Sequence, residues 1–250
     1  MRFNKVGILV ALAAVIGASA PANAHFPVTL SNSHAKLSQS PILVDGTISF
    51  AVYANFTKAK EVRSFRFALR DNEELNLEYL ILDQAPSNRL KNTQLPSVVI
   101  TSPTGKKFNL AIKERTPFYE PFSKKKYLYL SRLSQLGEAG MYSVSMVAKA
   151  RSSIVVAVGR TEVRGEVLQV GTTKGECPKP ISQESEITSA RALQLIGMSE
   201  RAAEVCSSVL KWIYRVGERD GESFAVTMDF RPDRVTVSVQ SGTITAVTVG

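Results

Sequence analysis

Short runs in which apolar and polar residues alternate dominate the chain from about residue 47 to residue 170. Ile48, Phe50, Val52 and Ala54 fall on one face of a strand pattern, Phe65, Phe67 and Leu69 on a second, and Leu75, Leu77, Tyr79 and Ile81 on a third. Residues 98–100, 127–130, 141–147 and 154–158 continue the series. Turn formers separate the runs: Asp71-Asn72, Pro103-Thr104-Gly105 and Glu138-Ala139-Gly140. Many short strands with polar turns and no helical periodicity predict a mainly β chain, with an antiparallel β-sandwich over residues 25–170.

The pattern changes after residue 170. Residues 171–185 carry Gly175, Pro178 and Pro180 among polar neighbours and read as a linker. Ile187, Ala190, Leu193 and Leu195 then recur near helical spacing. Ser199 is placed as the N-cap of a helix carrying Ala202, Val205, Val209 and Leu210. Residues 211–216 read as a strand. Residues 235–239 and 243–249 read as a hairpin turning at Ser241-Gly242. Residues 186–250 are therefore expected to form a small α+β domain.

Residues 1–24 have the pattern of a secretory leader. Arg2 and Lys5 precede an apolar run over residues 6–16, and Ala22-Asn23-Ala24 offers a small-residue cleavage site. The expectation is an exported protein, periplasmic or secreted, beginning at His25. The apolar run is short for a membrane span and no later stretch qualifies, so no span is expected after cleavage. The 31 basic against 22 acidic residues give a net charge of +9, lowered to +7 on loss of a leader holding two basic and no acidic residues. The basic clusters Lys106-Lys107 and Lys124-Lys125-Lys126 read as solvated loops, and no nucleic-acid motif accompanies them. Cys177 and Cys206, the only cysteines, are expected to form a disulfide in an oxidising compartment. Their spacing fits neither zinc nor Cys-x-x-Cys redox chemistry.

The segment running Val226-Thr-Met-Asp-Phe-Arg-Pro-Asp-Arg-Val235 and on through the hairpin to Gly250 resembles the reactive-site loop of the potato inhibitor I family of serine-protease inhibitors, and more closely its bacterial I78 relatives. Leu195-Ile-Gly-Met-Ser199 is similar to the approach to that family's helix. The resemblance covers roughly residues 190–250. It implies an extended loop formed by Val226, Thr227, Met228, Asp229 and Phe230, with Met228-Asp229 as the scissile bond. Met228 would enter the specificity pocket of a subtilisin-like or chymotrypsin-like enzyme. Arg234 would reach back to Asp229 and Thr227 to keep the loop rigid. Two departures are visible: Thr236 stands where a second supporting arginine is common, and the approach over residues 217–224 is longer. Residues 95–105, 140–144 and 155–159 are similar to sandwiches of the Golgi-dynamics type, which implies a recognition or spacer module and names no ligand.

Two other function classes remain beside the inhibitor. One is a non-inhibitory envelope binding module on the same folds. The other is a copper-binding sandwich, because a mature amino-terminal His25 offers its α-amino and imidazole nitrogens to one ion and His34 lies nearby in sequence. No further histidine exists to complete such a site, and no metal or cofactor is expected. Catalysis is not expected either. There is no Gly-x-Ser-x-Gly turn for a serine triad, Glu73-Glu74 reads as a polar turn, and Cys206 sits on a helix as a structural thiol.

Overall fold

The computed structural model describes residues 25–181 and 186–250. The leader over residues 1–24 and its cleavage site lie outside the described residues, as does the part of the linker at 182–185.

The chain begins with β1 (Phe26–Leu30), β2 (Ile42–Leu43), β3 (Phe50–Phe56), β4 (Val62–Leu69), β5 (Glu74–Leu82) and β6 (Ser97–Thr101). There follow β7 (Lys107–Asn109), β8 (Thr116–Glu120), β9 (Lys125–Leu136), β10 (Gly140–Val147), β11 (Ser152–Val158) and β12 (Val167–Leu168). They form two six-stranded sheets, ordered β1-β3-β11-β5-β9-β8 and β12-β2-β4-β10-β6-β7. The alternating apolar positions meet between them. Phe50, Val52, Phe65, Phe67, Leu77, Tyr79 and Ile81 all lie in one buried cluster with Ile100, Tyr142 and Val156. The sequence expectation of a sandwich holds, but not of a wholly antiparallel one. β1 pairs parallel with β3, and β2 parallel with β4. The reason is connectivity: β1 to β4 alternate between sheets, so neighbours within a sheet are joined by a crossover rather than a hairpin.

The remainder comprises β13 (Val170–Gly171), β14 (Cys177–Pro178), α1 (Ser189–Ala192), α2 (Glu200–Leu210), β15 (Ile213–Arg219), β16 (Glu222–Ser223), β17 (Arg234–Gln240) and β18 (Thr243–Val249). The Ser199 side chain caps α2 by accepting from the Ala202 N–H at 3.1 Å. The periodic stretch before it shortens to the single turn of α1 and a 3-10 turn over Leu193–Leu195. In the four-stranded sheet β16-β15-β17-β18, β15 and β17 run parallel. The β17–β18 hairpin turns at Ser241-Gly242, both with positive φ, as the sequence predicts.

The two parts share a core. Ile42, Val44, Ala68 and Leu168 from the sandwich pack in one cluster with Ala202, Val205, Cys206 and Trp212. Arg201 of α2 reaches Asp45 at 2.7 Å and Glu73 at 3.3 Å, so the Glu73 side of the acidic pair anchors α2. Thus α2 and its neighbours cover the outer face of the second sheet.

Cys177 and Cys206 form a disulfide across 29 residues, both fully buried, tying β14 to α2. A loop of that length is worth about 3–4 kcal/mol in the chain-entropy account. The variant with both cysteines replaced by alanine is therefore expected to unfold at clearly lower denaturant. Equilibrium denaturation checks this, and an unchanged midpoint would count against a stabilising bridge.

Candidate inhibitory loop

Residues 224–233 leave the sheet between β16 and β17 and return with little regular structure. Strand alternation decides what lies beneath them. Val235, Val237 and Val239 of β17 face the shared core. Arg234 and Thr236 therefore face the opposite way, under the loop. On β15, Tyr214 and Val216 likewise pack toward the core, which leaves Arg215 on the loop side. The parallel register places Arg215 directly beside Thr236.

Met228 at the loop tip is 97% exposed. Its two neighbours are held. On the carboxyl side, Arg234 donates Nη1 to both carboxylate oxygens of Asp229 at 3.3 Å and Nη2 to the Asp229 carbonyl. Arg234 is itself buried and donates Nε to Gly250 O at 2.9 Å, so its guanidinium is fixed from below. On the amino side, Arg215 Nη1 donates to the Thr227 carbonyl and hydroxyl oxygens, both at 3.3 Å. Thr236 Oγ1 accepts from Arg215 Nε at 3.1 Å and Nη2 at 2.9 Å, and donates to Gly250 O at 3.2 Å. The Thr227 hydroxyl, with the hydrogen bond and charge of Arg234, outweighs burial and holds the Asp229 carboxyl below its ordinary 3.8. Asp229 is thus an anion at neutral pH, and the clamp weakens only as pH falls below that value.

The structure brings Met228, Asp229 and Arg234 together as the sequence places them, and corrects two details. Arg234 does not reach Thr227; Arg215 does. Nor does Thr236, standing where a second supporting arginine is common, leave the support without one: it is the shelf on which Arg215 rests. Sequence reasoning missed Arg215, which lies 12 residues before Thr227 and meets the loop only through the parallel β15–β17 pairing. The polar position within an otherwise apolar Ile213–Val216 alternation was the available signal.

The long approach over residues 217–224 folds as a second tight hairpin. β15 and β16 pair antiparallel around Asp220-Gly221, both with positive φ. Asp220 Oδ1 accepts from Ser241 N at 2.7 Å, locking this turn to the next one. Arg219 stacks over Phe224 at 5.4 Å and donates to Glu200 at 2.5 Å. Beyond the tip, Phe230 is 69% exposed but packs at Gly250, where an added Cβ would lie 2.9 Å from its ring. Of the three loop residues with large apolar side chains, Val226 is the least exposed, at 38%.

The two histidines stand at opposite ends of β1, whose five residues span about 16 Å. His25 Nδ1 is paired with the Ser49 hydroxyl. His34 Nδ1 accepts from Ser31 N at 3.1 Å, and burial together with Arg63 lowers its pKa. A site at His25 would draw no second imidazole from His34, and the described residues contain no group of three metal-ligating side chains. The chain matches no protein-family model and no curated protein.

Proposed function

We propose that the C-terminal unit inhibits a serine protease by presenting residues 226–230 as a substrate that cannot relax. The observation that carries this reading is the contrast at Met228, which is 97% exposed while both flanking residues are clamped from beneath by Arg215 and Arg234. A loop already held in an extended form loses little entropy on entering a protease cleft. After acylation the same bonds would hold the new termini in place, so the peptide re-forms faster than it departs. Met228 offers a medium apolar side chain, suited to the specificity pockets of subtilisin-like or chymotrypsin-like enzymes. Export and an oxidising compartment are part of the proposal, supported by the leader pattern and the buried disulfide. Active-site titration of a subtilisin-like enzyme with the mature chain tests the reading: enzyme activity is expected to fall linearly to a stoichiometric end point. Full residual activity at a large excess of the chain would refute it.

A further inference from the structure

The two sheets of the sandwich differ on their outer faces. α2 covers the second sheet, whereas on the first the outward positions of the central strands carry apolar side chains with no helix among the described residues over them. Ala51, Leu80, Tyr127, Val155 and Ala157 form a separate buried cluster there, with Tyr53, Phe118 and Tyr129 packed against it. An outward sheet face is ordinarily polar. Here it is hollowed instead. Ala51 and Ala157 lie directly opposite one another across β3 and β11, so two methyl groups form a low floor. Both edge strands supply walls, Phe26 and Pro27 from β1 and Phe118 from β8, and the turn after β8 brings Phe122 over the rim. The concavity is open to one side and has a volume of about 340 Å³.

Two carboxylates, Glu78 and Glu120, line this concavity with His25 as the group of opposite sign, and no lysine or arginine among the described residues lines it, in a chain whose net charge is +9. Neither glutamate forms an ion pair among the described residues. The neighbouring Arg132 is engaged at 2.8 Å by Glu114 instead. Burial opposes the charge of Glu120, but hydrogen bonds from Ser123 and Phe122, at 2.6 and 2.8 Å to the backbone N–H groups, hold its carboxyl below the usual range. Burial raises the pKa of Glu78 against the opposing charges of His25, Arg160 and Arg132. A cation placed beside Glu78 would offset the burial that raises its pKa, so the site gains by receiving one.

We propose that this concavity binds a small organic amine, with an apolar body over Ala51 and Ala157 and an ammonium group facing Glu78 and Glu120. A volume of this size accepts a ligand of about ten to fifteen non-hydrogen atoms. The aromatic walls at Tyr53, Phe118 and Phe122 add faces that attract the same cation. The site lies on the sandwich and is independent of the inhibitory loop.

Calorimetric titration of the mature chain with three probes of one shape tests this: 3-phenylpropylamine, 3-phenylpropan-1-ol and 3-phenylpropanoate. The amine is expected to bind at least about tenfold tighter than the alcohol, and the carboxylate weakest. Glu78→Gln is expected to remove most of that preference while leaving alcohol binding in place. Ala157→Leu, which fills the floor, is expected to weaken both amine and alcohol at least about tenfold. Ala51→Leu, on the facing strand, makes the same test if Ala157→Leu does not fold. No binding of any probe at millimolar concentration overturns the proposal. So does an alcohol as tight as the amine, a preferred carboxylate, or amine affinity indifferent to a filled floor.

Discussion

Replacing Arg215 with alanine is expected to convert the chain from an inhibitor into a substrate. The substitution leaves Met228, Asp229 and Arg234 untouched, and removes the hydrogen bonds that hold the Thr227 carbonyl and hydroxyl. Arg215 comes from a different strand, so its loss frees the amino side of the Met228-Asp229 bond and leaves the carboxyl side held. If two loop residues must then be ordered afresh on binding, the cost is about 2–4 kcal/mol of backbone entropy. That corresponds to inhibition weaker by roughly 30- to 700-fold. Progress curves with a subtilisin-like enzyme measure it: slow loss of inhibition over time as the variant is consumed, against a stable plateau for the wild type. Arg215→Lys should not restore the plateau, because one ammonium cannot reach Thr227 while also resting on Thr236 as the guanidinium does. Arg234→Ala should have the same sign but also lower the stability of the unit, since Arg234 is 5% exposed and supports Gly250 as well as Asp229. Equal and unchanged inhibition by both variants would remove the clamp from the account.

Met228→Lys is expected to redirect inhibition. The side chain is almost wholly exposed, so the fold should be indifferent and the melting temperature unchanged. In the apolar pocket of a chymotrypsin-like enzyme a lysine buries an uncompensated charge. In the acidic pocket of a trypsin-like enzyme it completes a buried ion pair, an exchange on the order of 2–5 kcal/mol. Inhibition constants against the two enzyme classes should therefore move in opposite directions, with a gain of at least about 30-fold for the trypsin-like enzyme. A substitution that leaves both constants where they were would show that Met228 does not occupy the specificity pocket.

The features that were legible in the sequence are those set by neighbours along the chain. Asp229 and Arg234 lie five residues apart, so a turn at the loop base suffices to join them, and they do meet. Ser199 caps α2 and Ser241-Gly242 turns the last hairpin, because both depend on local backbone chemistry. The alternating Phe50, Val52 and Ala54 set marks a strand with one face in the core. What was not legible depends on which strand lies beside which. Arg215 joins the loop support through a parallel pairing whose register no local pattern encodes. The parallel pairing of β1 with β3 is hidden for the same reason. The acid-lined concavity escaped for another: in β11, residues 155–158 are apolar at every position, so alternation cannot distinguish Val156, which faces the core, from Ala157, which floors the outer hollow. Glu78 and Glu120 are 42 residues apart and come together only because β5, β9 and β8 are consecutive in one sheet.

The central claim, that Met228-Asp229 is offered to a protease as a bond which is cut slowly and re-formed readily, is tested most directly by intact mass after incubating the mature chain with an equimolar subtilisin-like enzyme. The account predicts that enzyme activity stays suppressed while the chain is recovered chiefly whole, with any cleavage confined to the bond between Met228 and Asp229. Recovery of full enzyme activity with the chain cut elsewhere, or with the loop untouched, would contradict it.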